Sequence, residues 1–79
     1  MSHLLYFTAP WCGPCKLLKP QLTQLTVSYR TINIDQDMDT ANRYNVRNIP
    51  CFMRINAIGQ EVSRLVGNSV TIANIQRLL

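Results

Sequence analysis

The stretch HLLYFTAPWCGPCK, residues 3–16, joins an apolar run to a pair of cysteines separated by two residues. The run His3–Thr8 is hydrophobic at successive positions, which is typical of a central strand covered on both faces. Cys12 and Cys15 follow where this strand is expected to turn into a helix. Two thiols at this spacing can open and close as a disulfide, and the positive end of a helix stabilises the Cys12 thiolate and lowers its pKa. The stretch therefore predicts a redox-active dithiol.

The composition predicts one small domain with a hydrophobic core. Of the 79 residues, 47% are hydrophobic and 15% are charged, so we expect a single folded domain over residues 1–79 and not a disordered segment. The net charge is +4, but the basic residues are dispersed along the chain. Because no run of them would follow a phosphate backbone, nucleic-acid binding is not expected.

The cysteine count and the hydropathy of the chain indicate in which cellular compartment the protein is located. No segment approaches the roughly 20 apolar residues that a membrane span requires, so no membrane association is expected. The N-terminal sequence has no basic region before a long apolar stretch, and it therefore does not have the pattern of a signal peptide. Three cysteines argue against a framework of structural disulfides and fit a reducing compartment with one catalytic pair. We expect a cytoplasmic protein.

Periodicity and turn residues predict the element order β-α-β-α-β-β-α. The expected strands cover residues 3–8, 30–34, 50–55 and 60–66, and the expected helices cover residues 13–28, 39–46 and the segment after residue 69. Pro20 must kink the first helix or end its first part. Asp37 or Asp39 is expected to cap the second helix, and Ser69 the third. A right-handed crossover makes the first two strands parallel and a hairpin makes the last two antiparallel, so we expect a mixed sheet of order 2-1-3-4.

Three widely spaced blocks of the sequence carry a family signature. The first is WCGPCK at 11–16, followed five residues after its second cysteine by Pro20. The others are NIDQ at 33–36 and YNVRNIP at 44–50, with Gly67 further on. In these residues the chain resembles the thioredoxin family, whose active-site motif, kinking proline, second strand, cis-proline and opposed glycine they match. The resemblance covers nearly the whole chain and implies an α/β thioredoxin fold without the usual N-terminal strand and helix.

The resemblance implies a role for each residue of the site. Cys12 is expected to attack a substrate disulfide, and Cys15 to resolve the mixed disulfide that results. Trp11 is expected to form an apolar wall beside an exposed Cys12 sulfur. The residues expected to support the dithiol are Trp11, Gly13, Pro14, Lys16 and Pro50. The residues expected to contact the substrate are Trp11, Ile49, Pro50 and Gly67.

Three positions depart from the family pattern. The buried aspartate of the family, six residues before the first cysteine, is replaced by Tyr6, and its lysine partner by Thr31. Cys51 follows the expected cis-proline, where the family commonly carries threonine. A small buried strand residue is the simplest interpretation of Cys51, with a third redox thiol as the alternative.

The implied function is reduction of protein disulfides by a monomeric oxidoreductase that takes part in electron transport and cell redox homeostasis. Its electrons would come from a thioredoxin-reductase-like donor or from glutathione, and neither a cofactor nor a metal is expected. A glutaredoxin-type, glutathione-dependent reductase is one alternative because the chain is small, although Gly13-Pro14 and the absence of Gly-Gly after Gly67 argue against it. A non-catalytic binding subunit is another alternative. A zinc site would require Cys51 and His3, or a second chain, to complete its ligands.

The replacement of the buried acid generates a kinetic prediction. Tyrosine is a poor base near neutral pH, since its unperturbed pKa is about 10. We expect Cys15 to resolve mixed disulfides more slowly than in a full-length thioredoxin, and Tyr6→Asp to accelerate this step. Stopped-flow kinetics of the two proteins measure the effect, and equal rates would contradict the prediction.

Overall fold

Strand β1 lies in the middle of a mixed sheet, as the sequence predicts. The computed structural model describes residues 3–78. Its strands are β1 (His3–Thr8), β2 (Arg30–Asn33), β3 (Cys51–Ile55) and β4 (Glu61–Val66), and its helices are α1 (Gly13–Leu22), α2 (Met38–Arg43) and α3 (Ile72–Leu78). The sheet order is β2-β1-β3-β4, with β1 parallel to β2 and the other two pairs antiparallel. Both the predicted element order and the predicted strand order are confirmed.

The two faces of the sheet carry separate hydrophobic clusters, because alternate residues of a strand point to opposite faces. Helices α1 and α3 pack on one face. The buried members of this first cluster are Leu4, Tyr6, Leu18, Leu22, Phe52, Val70, Ile75 and Leu78. On the other face Tyr44 and Val46, which follow α2, pack against the second cluster. Its buried members are Leu5, Phe7, Ile32, Cys51, Met53 and Ile55.

Helix α1 ends at Leu22, earlier than the predicted boundary at residue 28. Pro20 lies inside the helix and has no N–H to donate, so the last turn is weakened. The Thr23 hydroxyl donates to the Pro20 carbonyl at 2.7 Å and closes the end of the helix. Leu25 belongs to the predicted helical pattern, but it reaches the first cluster from the turn that follows.

Helix α2 is capped by Asp37, which was one of the two predicted residues. The Asp37 carboxylate accepts the Thr40 N–H at 3.1 Å and the Thr40 hydroxyl at 2.7 Å. These hydrogen bonds hold the pKa of Asp37 below its ordinary value. Asp39 lies within the first turn, where its negative charge favours the helix. The helix ends at Arg43, before the predicted residue 46, because Asn45 adopts a left-handed φ of 54°.

Helix α3 begins later than predicted, and Ser69 is not its N-cap. Gly67–Ser69 forms a separate 3-10 turn. The Thr71 hydroxyl instead accepts the Asn74 N–H at 3.1 Å, and the helix covers Ile72–Leu78. Ser69 contributes through its carbonyl, which accepts a hydrogen bond from the Asn74 side chain at 2.9 Å. The predicted contribution of Leu79 to this helix lies outside the described residues.

Gly67 connects β4 to the start of β3. Its φ is 59°, in the left-handed region, and its N–H donates to the Pro50 carbonyl at 2.9 Å. The Ile49–Pro50 peptide bond is cis, as the sequence resemblance implies. An added Cβ at Gly67 would meet no atom within 4 Å, so its backbone conformation, and not crowding, requires glycine.

We expect Gly67→Ala to lower the free energy of unfolding by about 1–2 kcal/mol, which is the usual cost of a left-handed backbone for a residue with a Cβ. Urea denaturation of the oxidised protein measures this change. Gly13→Ala is the matched control, because Gly13 also has open space around a Cβ but no positive φ. A Gly67→Ala protein as stable as the Gly13→Ala protein would disprove the requirement.

Candidate active site

Cys12 and Cys15 form a disulfide at the start of α1. Their Cα atoms are 5.2 Å apart. Cys12 is the N-cap of the helix, and its Sγ accepts the Cys15 N–H at 3.2 Å. Pro14 occupies the first turn, where the absence of an N–H costs no helical hydrogen bond. The Cys12 sulfur is therefore placed at the positive end of the helix dipole, as the sequence predicts.

The Cys12 sulfur is less accessible than expected. Only 3% of Cys12 and 4% of Cys15 is exposed, so the expectation of an exposed Cys12 sulfur is wrong. Ile34 and Ile49 pack against the two cysteines and Ala9. These isoleucines follow β2 and precede β3, so the loops at the carboxyl end of β1 enclose the dithiol.

Trp11 is held at the surface by a hydrogen bond across the site. Its side chain is largely exposed, and the indole Nε1 donates to Asp35 Oδ2 at 2.9 Å. The Asp35 N–H donates to Asn33 Oδ1 at 2.9 Å, which fixes the loop after β2. From the sequence, Asp35 is mainly a residue of a solvated loop, with a position near the site, where it would modulate the dithiol, as the alternative. A position near the site is indicated because Asp35 follows β2, whose carboxyl end adjoins that of β1 in a parallel pair.

The remaining predicted residues fall into two groups. Gly13, Pro14 and Lys16 are exposed on the first turns of α1, and the Lys16 N–H donates to the Cys12 carbonyl at 3.3 Å. On the other side, Ile49 packs against the dithiol and is followed by buried Pro50, to which Gly67 is hydrogen-bonded. The structure thus brings every predicted site residue to the carboxyl end of β1.

Tyr6 is part of the core below the dithiol. Its ring lies 5.8 Å from that of Phe52 and 6.3 Å from that of Tyr29, measured between centroids. Burial raises the pKa of the Tyr6 phenol above its ordinary value of 10.0, although a hydrogen bond with Thr8 opposes the shift. The Tyr6 hydroxyl is therefore protonated at neutral pH and does not replace the missing carboxylate as a base.

Cys51 belongs to the second cluster, on the sheet face opposite α1. Its side chain is fully buried, and burial raises the pKa of the thiol to about 11. The other proposed zinc ligand, His3, lies at the opposite end of β1, where it pairs with Ile55. Within residues 3–78, no three His, Cys, Asp or Glu side chains converge as a metal site, and no helix is long and apolar enough to cross a membrane.

The environment of Cys51 predicts that it resists alkylation. In the reduced protein at mildly alkaline pH, we expect iodoacetamide to modify Cys12 and leave Cys51 protonated and unmodified. Mass mapping of the products tests this, with urea-unfolded protein as the control in which all three cysteines react. The Cys51 thiol ionises at a lower pH in the unfolded chain than in the folded protein. The free energy of unfolding should therefore also fall as the pH rises from 9.0 through about 11. Rapid modification of Cys51 in the native protein would contradict this assignment.

Comparison with known proteins gives one consistent result. The thioredoxin family model matches residues 1–78. A thioredoxin from Synechocystis is 36% identical over 70 residues, which cover 81% of this chain and 64% of the relative. Thioredoxin 1 from Synechococcus elongatus is 35% identical over 79 residues, covering 90% of this chain and 73% of the relative. This chain thus spans less than two thirds of the Synechocystis relative and about three quarters of the Synechococcus one.

Solved structures show the same relationship. The thioredoxin of Fasciola hepatica aligns with a TM-score of 0.82 and 30% identity, covering 99% of this chain and 81% of that one. The thioredoxin of Schistosoma mansoni aligns with a TM-score of 0.81 and 29% identity, covering 96% of this chain and 71% of that one. The sheet order, the dithiol at the start of α1 and the cis-proline agree with the family match, and the chain belongs to the thioredoxin family.

Proposed function

We propose that this protein is a thiol-disulfide oxidoreductase that reduces protein disulfides through Cys12 and Cys15. The observation that carries the proposal is the position of the Cys12 sulfur. It caps α1, accepts the Cys15 N–H and is bonded to Cys15 in a disulfide. A helix N-terminus favours the thiolate, which is the form of cysteine that attacks disulfides.

The reaction transfers two electrons in two exchange steps. In the first, the Cys12 thiolate attacks a substrate sulfur, the substrate disulfide breaks and one substrate thiolate leaves. In the second, Cys15 loses its proton and attacks the Cys12 sulfur, which releases the other substrate sulfur and forms the Cys12–Cys15 disulfide. The dithiol is oxidised and the substrate disulfide is reduced. Cys51 takes no part, because it is fully buried on the other face of the sheet.

The surface around the dithiol is suited to an extended polypeptide. Trp11 offers an exposed apolar ring at one side of the dithiol. At the other side, Ile49 and Pro50 directly precede β3, and the Gly67 N–H donates to the Pro50 carbonyl. We expect a substrate segment to pair with the Ile49 backbone as an added strand and to contact Trp11. Docking on this surface must also uncover the buried Cys12 sulfur.

The electron donor and the compartment follow from the same proposal. The relatives named above are thioredoxins, and a thioredoxin-reductase-like protein is the expected donor for the oxidised dithiol. A cytoplasmic, reducing environment fits a chain with one dithiol and one buried free thiol. We expect a monomer that takes part in electron transport and redox homeostasis and uses no metal or cofactor.

The Cys15→Ser variant tests this function. It keeps the Cys12 nucleophile but cannot resolve the mixed disulfide, so we expect it to accumulate covalent adducts with disulfide-containing proteins. Non-reducing electrophoresis followed by mass spectrometry identifies the adducts and the cysteine that carries them. Cys12→Ser combined with Cys15→Ser should trap nothing, whereas Cys51→Ala combined with Cys15→Ser should still trap substrate.

Two outcomes would overturn the proposal. Adducts with glutathione alone would favour a glutaredoxin-type enzyme. A Cys12→Ser protein that retains its biological role would show that the dithiol is dispensable and that the chain acts as a binding subunit.

A further inference from the structure

A cavity of about 400 Å³ lies between α1 and the sheet, directly beside Cys15. Its floor is formed by side chains that share one face of two paired strands. Tyr6 is in register with Thr31, and Thr8 with Asn33, so hydroxyl and amide groups from β1 and β2 line the same side. The volume is in the range of small-molecule sites and far above the roughly 30 Å³ that one water occupies in the liquid.

The charges around this cavity have one sign. Lys16 and Lys19 of α1 lie at its edge, and no aspartate, glutamate or histidine lines it. Tyr6 and Tyr29 also line the cavity and contribute phenol hydroxyls. The cavity therefore combines two ammonium groups, several hydroxyl donors and an amide, which is a donor set suited to an oxyanion.

Cys15, the proposed resolving residue, also lines the cavity, and this connects the cavity to the proposed reaction. Cys15 is only 4% exposed, so the cavity is the place where a small molecule could contact this otherwise buried residue. Resolution requires that Cys15 lose its proton. The residues that line the cavity include no carboxylate or histidine to accept this proton, whereas an oxyanion held beside the two lysines would be a base.

We propose that this cavity binds a small free oxyanion, such as inorganic phosphate, and that the bound oxyanion accepts the Cys15 proton during resolution. The inference rests on the proposed function. The oxyanion takes the proton, the Cys15 thiolate attacks the Cys12 sulfur, and the bond between Cys12 and the substrate breaks as the Cys12–Cys15 disulfide forms. The departing substrate thiolate takes this proton back from the oxyanion, directly or relayed through water. The oxyanion is regenerated, and the electrons come only from the dithiol.

Binding is tested first, by a method that requires no catalysis. Inorganic phosphate is titrated into oxidised, 15N-labelled protein at constant ionic strength and neutral pH. We expect saturable chemical-shift changes at the amides of Lys16, Lys19, Thr31 and Asn33. Lys19→Gln should weaken the binding severalfold, whereas Arg77→Gln, which removes the same charge from an exposed position outside the cavity, should leave it unchanged. The absence of saturable shifts, or equal losses in the two variants, would overturn the proposal.

The second measurement is the rate of resolution. Reduced protein reacts with a peptide disulfide that contains no carboxylate, and stopped-flow fluorescence of Trp11 follows formation and resolution of the mixed disulfide. We expect phosphate to accelerate resolution by about tenfold, less than the roughly 10²–10⁴-fold of a positioned side-chain base. Imidazole, a base of similar strength without negative charge, should accelerate it less. In Tyr6→Asp, whose carboxylate supplies an internal base, the dependence on phosphate should disappear.

The outcomes separate this inference from the function on which it rests. If no mixed disulfide forms at Cys12, the proposed function fails, and the proton transfer to phosphate fails with it. If the mixed disulfide forms normally but resolves at a rate independent of phosphate, the function stands and this inference is wrong. An equal effect of phosphate and imidazole would show unspecific base catalysis and would also overturn the bound oxyanion.

Discussion

Strand β1 is hydrogen-bonded along both edges, and the position of every candidate site residue follows from this pairing. Its side chains are buried on both faces, so its backbone groups have no water to bind and must be paired with neighbouring strands. The parallel partner β2 ends beside the end of β1, and the antiparallel partner β3 begins there. The loop with Cys12, the loop with Asp35 and the segment with Pro50 must therefore meet at one place. The dithiol, the Trp11 anchor and the cis-proline are brought together by sheet topology.

The features that depend on patterns along the chain were predictable, and those that depend on loop geometry were not. The apolar run at 3–8 indicated a central strand, and the two cysteines together with Gly67 marked the site. The contact of Trp11 with Asp35 joins residues 24 positions apart, and no periodicity encodes it. The cap of α3 was missed for a local reason. Ser69 and Thr71 are both good capping residues, and the turn that starts at Gly67 selects the second.

The three cysteines show how strongly a helix N-terminus changes the environment of a buried sulfur. All three are almost fully buried. At Cys51 burial outweighs the opposing charge of Arg64, so the thiol is held in its protonated form with a pKa of about 11. Cys12 is buried to nearly the same degree but accepts the Cys15 N–H at the start of α1. Burial alone would make a thiol inert, and in this fold the end of α1 provides the stabilisation that a buried thiolate at Cys12 requires.

Replacing both members of the family's buried ion pair by hydroxyl residues is energetically favourable, even though it removes the family's catalytic base. The family's aspartate and lysine correspond to Tyr6 and Thr31, which are paired in register on adjacent strands. Losing only one of a buried charge pair leaves the other uncompensated, at a cost of about 3–5 kcal/mol, whereas replacing both avoids that cost. Tyr6 adds aromatic contacts with Tyr29 and Phe52, and such pairs stabilise by about 0.5–1.5 kcal/mol each. The exchange therefore favours the stability of the fold, and the residues that line the cavity beside Cys15 include no carboxylate or histidine that could accept its proton.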